Sequence, residues 1–246
     1  MARKKQEAQE LLAPDPFMEK ATSGMNWLEK NIKTVIGVLV VGLGGIIGAQ
    51  VMMSEGDRGK SAVTMELAEA VESFEEATSL QTVLTSTAPA GQYKAAREKF
   101  TAFRSKHSGH AAAAIAAVYE GELARRLGEP AKAQSLFEEY LSKTQKSAPL
   151  RFMALEGAGY AYEAETKLDD ALAKYEQLAS EQPFYKDYAF KHKARVLMKK
   201  GDKAGAIATY QALVDMDDPR AEAKDGEPAK KTPLKSFAEE RLETLR

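Results

Sequence analysis

The sequence predicts an all-α chain in which one membrane-crossing helix precedes a solenoid of helical hairpins. Three observations carry that prediction. Residues 34–54 contain no charged side chain. A spaced apolar pattern then recurs four times at offsets of 37, 38 and 35 residues. Ala, Glu, Lys and Leu dominate the composition, which favours helix.

The uncharged run, TVIGVLVVGLGGIIGAQVMMS, has 21 residues. At about 1.5 Å rise per residue, roughly 20 helical residues cross a hydrocarbon core of about 30 Å. A cleaved signal peptide has a shorter apolar core and a small-x-small cleavage site, and Gln50-Val51-Met52-Met53 is a poor one. The expected element is therefore an uncleaved transmembrane helix over 34–54, with a tail over 1–33. Trp27 stands where an interfacial aromatic sits. The tail carries Arg3, Lys4, Lys5, Lys20, Lys30 and Lys33, against only Arg58 and Lys60 in the 20 residues after the run. The positive-inside rule then puts the N-terminus in the cytoplasm and the repeats outside. Gly44 and Gly48, four apart, would let a neighbouring membrane helix approach closely.

The repeat domain is expected over 55–218. Its first helix, 66–80, places Leu67, Ala70, Val71, Phe74 and Ala77 on one face, and a loop over 85–92 follows. The recurring pattern is Ala96-Phe100-Phe103, Ala133-Phe137-Tyr140, Ala171-Tyr175-Leu178 and Ala206-Tyr210-Leu213. Spacing of i, i+4, i+7 puts the three residues on one helix face, and a period in the mid-thirties is that of stacked helical hairpins. Preceding helices are expected over 111–127, 150–167 and 185–200. Gly121, Gly159 and Ala194 each lie 12 residues before the Ala of the next pattern, so that paired helices can cross closely. Gly128 and Gly201 supply left-handed turn positions, Pro130 suits a first helical turn, and Pro183 ends a helix. Residues 219–233 are charged and Pro-rich with no apolar period, which reads as an exposed linker. Phe237, Leu242 and Leu245 then mark a capping helix within 234–246.

Catalytic chemistry is nearly absent from the sequence. His107 and His110 flank Ser108-Gly109, a turn without accompanying acids, so no metal site is expected. His192, between Lys191 and Lys193, is expected on an exposed face. Asp169-Asp170 suits a helix start and Asp217-Asp218 a turn. There is no phosphate loop, GxSxG or HExxH motif and no Cys, and net charge is −1. Neither an enzyme, a cofactor nor a nucleic-acid partner is expected.

The copy running from Glu156 through Gly159, Tyr162, Ala171 and Tyr175 to Pro183 resembles the tetratricopeptide repeat, and the other copies are degenerate versions of it. The resemblance implies a right-handed solenoid whose first helices line a groove. In it the outward positions would be Tyr119, Glu122 and Arg126, then Glu156, Tyr160 and Glu163, then Tyr188, Lys191 and Arg195. A generic solvated helix face is the competing account of any one of them. The juxtamembrane stretch Trp27-Leu-Glu-Lys-Asn-Ile-Lys-Thr-Val-Ile-Gly-Val-Leu-Val-Val-Gly-Leu-Gly-Gly and the stretch Ala194-Arg-Val-Leu-Met-Lys-Lys-Gly-Asp-Lys-Ala-Gly-Ala resemble the YfgM family of ancillary subunits of the SecYEG translocon. That resemblance implies a single-pass protein of the bacterial inner membrane with periplasmic repeats. It would bind the translocon and a PpiD-like periplasmic chaperone and assist proteins emerging from translocation. The alternative is a scaffold for a cell-wall synthesis or division complex of the envelope.

Overall fold

The computed structural model describes residues 59–79, 89–221 and 229–245. The uncharged run, with Gly44 and Gly48, and the tail before it lie outside them. Among the described residues no helix is long and apolar enough to cross a membrane. They contain no strand, only an isolated antiparallel bridge between Asp217 and Lys231.

The helices are α1 (Gly59–Thr78), α2 (Pro89–Lys106), α3 (Ala111–Arg126), α4 (Pro130–Lys143), α5 (Arg151–Ala164), α6 (Leu168–Glu181), α7 (Lys186–Lys199), α8 (Lys203–Asp215) and α9 (Lys235–Leu245). A 3-10 turn, Pro183–Tyr185, precedes α7. Each helix packs on the next, which gives four hairpins and a final helix. The expected loop over 85–92 is shorter at its C-terminal end, because α2 starts at Pro89, a residue preset for the first helical turn.

Every residue of the recurring pattern is buried, and all lie on the second helices α2, α4, α6 and α8. Burying each Phe, Tyr or Leu side chain contributes about 1.5–3 kcal/mol. The small residues explain how the rings fit. A Cβ on Gly159 would fall 2.5 Å from Tyr175 Cε1, and one on Gly121 3.0 Å from Phe137 Cε1. Gly157 adds a contact the sequence reading did not foresee: a Cβ there would fall 2.4 Å from Phe137 Cζ. The Phe137 ring is thus held between Gly121 of its own hairpin and Gly157 of the next.

Three hairpin turns use one geometry. Gly128 (φ 74°), Thr166 (φ 61°) and Gly201 (φ 80°) stand in the left-handed region. In each case the next amide reaches back five residues, as in Glu129 N–H to the Ala124 carbonyl at 2.9 Å, which satisfies a carbonyl at the helix end. Between hairpins, buried Arg151 donates to the carbonyls of Leu141 and Thr144 at 3.0 Å and pairs with Glu181 at 2.6 Å.

At the C-terminal end, Ala238 and Leu242 of α9 pack on Ala194, Tyr210 and Leu213, with Phe237 and Leu245 half-buried beside them. Most described residues of the charged stretch over 219–233 are exposed, Ala221, Ala229, Lys230, Lys231 and Pro233 among them, but its two described ends are tied to the fold. Asp218 N–H donates to the Lys230 carbonyl (2.7 Å), and Thr232 N–H to the Met216 carbonyl (3.1 Å). Both ends converge on Asp187, which is fully buried at the start of α7. Its carboxylate accepts from the Arg220 guanidinium and, at 2.6 Å, from the Thr232 hydroxyl. A buried carboxylate needs such partners, and the segment supplies them.

Candidate functional site

The first helices α3, α5 and α7 share a repeat register counted from Gly121, Gly159 and Ala194. Two positions before the small residue stand Tyr119, Gly157 and His192, and all three are buried. Tyr119 is therefore not an outward residue. Its ring stacks on Phe100 (5.4 Å between centroids) and meets Phe74 edge-on (5.1 Å). Burial pushes its phenol up to about 12. His192, expected on an exposed face, is 3% exposed, with Nε2 2.7 Å from Glu156 Oε1 and Nδ1 3.5 Å from the Tyr160 hydroxyl.

One position after the small residue stand Glu122, Tyr160 and Arg195, which form a strip across the three helices. Glu122 accepts from Arg125 Nε at 2.7 Å and from Arg126 Nε at 2.8 Å. Two guanidiniums stand over the Tyr160 ring, Arg125 at 5.3 Å and Arg195 at 4.8 Å from its centroid. Arg195 also bonds Glu163, which accepts from Lys199 Nζ (2.8 Å) and the Tyr175 hydroxyl (2.7 Å). Glu163 is thus another correction: it is 8% exposed and serves as the acceptor that binds α5, α6 and α7 together. Burial works to raise its pKa, but Lys199, Tyr175 and Arg195 outweigh it and hold the carboxyl below the ordinary carboxylate value. Burial and the neighbouring Glu163 push the Tyr175 phenol up.

The remaining candidates reach solvent. Arg126 is exposed, and Tyr188 is exposed beside Arg220 (5.7 Å from the ring centroid) and near exposed Phe184. Lys191 is half-buried, its Nζ 5.3 Å from the Phe237 centroid. Openings interrupt the face among the described residues. One of about 190 Å3 lies between α3 and α5, with Phe137 among its lining residues and Glu122, Glu156 and Tyr160 also there. Another, about 320 Å3, lies between α7, α8 and α9.

Arg125 and Lys199 were missed from the sequence although they act on this face; counting every first helix in one register from its small residue would have found Arg125, level with Glu163. His107 faces Glu66 at 3.0 Å, and the His110 side chain caps α3 by accepting from Ala112 N–H at 3.0 Å. Among the described residues no group of three His, Cys, Asp or Glu side chains is arranged to hold a metal ion. The face offers aromatic edges and charges that a peptide can re-pair, which is the chemistry of binding.

The family model of the tetratricopeptide repeat-like domain matches residues 25–225. No curated protein matches the chain.

Proposed function

We infer the function of this chain from the family it belongs to, the tetratricopeptide repeat-like proteins, whose domains mediate contacts between proteins and are typically non-catalytic. It is a tethered interaction module: the run at 34–54 holds it in a membrane, and the face of α3, α5 and α7 receives a protein partner. The observation that carries this reading is the extent of the match, which begins at residue 25 and so takes in the uncharged run together with the repeats. The Lys/Arg bias around the run supports a cytoplasmic N-terminus and repeats on the outer side. The resemblance to the YfgM family supports a place at the SecYEG translocon of a bacterial inner membrane, beside a PpiD-like chaperone, where the module assists emerging chains.

Photocrosslinkers at Tyr160 and Lys191 of the full chain in membranes, followed by mass spectrometry, test this. Translocon components and a periplasmic chaperone are expected. Recovery of cell-wall enzymes without any translocon component refutes the translocon assignment, and recovery of no protein refutes the interaction reading. Protease added outside spheroplasts should digest the repeats and spare the tail; the reverse pattern overturns the topology.

A further inference from the structure

We propose that the edge of the array formed by the connections between hairpins rests on an anionic lipid surface, with Phe184, Lys186 and Tyr188 in the headgroup layer. The proposal rests on the reading of residues 34–54 as a membrane-crossing run and adds a second contact with the bilayer, made by the repeats themselves.

The topology gives the array two edges. First helices begin, and second helices end, at the same one. Contacts follow that edge along the chain. Glu66 of α1 meets Lys106 at the end of α2 at 2.8 Å, and Arg104 meets Glu139 of α4 at 2.5 Å. Gln182 donates to the Lys146 carbonyl at 2.6 Å, and the Phe152 ring stacks on Tyr185 at 4.1 Å. Because α1 is a first helix, the chain that follows the uncharged run enters at this edge. Only residues 55–58 separate the run from α1. Four residues span at most about 14 Å.

The two edges differ in chemistry. At the connections between hairpins stand Phe184 and Tyr188, 51% and 39% exposed. Exposed Lys186 lies between them in sequence and pairs with no carboxylate among the described residues. Lys143 and Lys146 meet Glu139 and Glu181 yet stay exposed, while Asp217 and Asp218 are engaged by Lys231 and Arg220. The turns within hairpins at 127–129, 165–167 and 200–202 carry both signs of charge and no aromatic ring. Aromatic rings settle at the membrane–water interface, and each Lys or Arg near an anionic surface adds about fivefold in affinity. The rings are also held in place before any contact. Arg220, fixed by buried Asp187, stands 5.9 Å from the Phe184 centroid and 5.7 Å from that of Tyr188. A short tether makes the encounter intramolecular, so a small patch suffices.

The chain has no Cys, so one engineered thiol reports one position. Ser147→Cys lies on the proposed edge and Ala164→Cys on the opposite one, both at exposed residues. Each full-length variant is labelled with bimane and reconstituted in phosphatidylcholine vesicles containing phosphatidylglycerol and a nitroxide-headgroup lipid. Quenching at position 147 should be about threefold or more that at 164, since the 14 residues of α5 set the edges about 21 Å apart. Removing phosphatidylglycerol, or adding Phe184→Ser with Lys186→Glu, should bring the 147 signal down to the 164 level. Equal quenching at the two positions, or no response to either change, would overturn the proposal. So would a 147 signal that follows protein density in the vesicle and not anionic lipid, which would assign the patch to a second copy of the chain. Flotation after carbonate extraction separates the two readings. A chain that floats without quenching at 147 sinks only this contact, whereas a chain that does not float sinks the membrane-crossing run as well.

Discussion

Replacing Gly159 by Ala tests the packing argument at a close helix crossing within one hairpin. The new Cβ would stand 2.5 Å from Tyr175 Cε1, 2.6 Å from Cζ and 3.0 Å from the hydroxyl oxygen. The ring cannot swing aside, because it is fully buried and its hydroxyl donates to Glu163 at 2.7 Å. Forcing an extra carbon into such a core costs up to about 3 kcal/mol. Removing a helical glycine returns about 0.5–1 kcal/mol of backbone entropy. The overpacking wins, and Gly159→Ala should destabilise the chain by about 2 kcal/mol. Urea unfolding of the full chain followed by circular dichroism measures this. The sign should reverse in a Tyr175→Leu background, where the clashing ring is gone and Ala should stabilise by about 0.5–1 kcal/mol. Equal or greater stability of Gly159→Ala in the wild-type background would refute the reasoning, because it would mean that the two helices part without cost.

Four further outcomes are expected. Thr166→Gly should raise stability by about 1 kcal/mol, since a β-branched residue at φ 61° carries strain that Gly128 and Gly201 avoid at the equivalent turns; thermal melts measure it. Tyr119→Ala should cost about 3 kcal/mol or more in denaturant titration, as for a core ring, whereas loss of partner binding at unchanged stability would return Tyr119 to the groove. Glu163 has a carboxyl held below its ordinary 4.5, so its contribution is present above that pH and is lost as pH falls from there toward the folded value. Glu163→Gln should therefore be less stable than wild type at pH 7, with the gap closing below about pH 4.5 in pH-dependent melts. Asp187→Asn should destabilise by about 2–3 kcal/mol and speed tryptic cleavage after Arg220, because it strips the guanidinium of its buried partner.

The second helices were legible because their pattern is dense: an Ala, an aromatic and a large apolar residue at one spacing have one plausible use, and all of them are buried. The first helices were harder to read because they are flanked on both sides. Tyr119 looks like a contact residue in sequence, yet α1 and α2 cover it through Phe74 and Phe100. His192 sits between two lysines, but the helix turns it inward, where Glu156 meets its Nε2. Glu163 reads as surface charge until Arg195 and Lys199, more than 30 positions later, arrive beside it. Such pairing depends on how one hairpin stacks on the next, and local periodicity carries no information about that. The ends of 219–233 escaped for the same reason: their anchor, Asp187, lies a whole helical hairpin earlier.

Phe137 acts as a shared pin. Its ring occupies the gap left by Gly121 on one side and Gly157 on the other, so neither hairpin can open without emptying the other's core. Stacked arrays without such a pin can fray from an end one unit at a time. A ring shared by α3, α4 and α5 ties their opening together, so fraying that enters from either end is expected to slow at that block. A partner pulling on the face of α5 would thus load two hairpins at once, which makes the middle of the array the part that keeps its shape under tension.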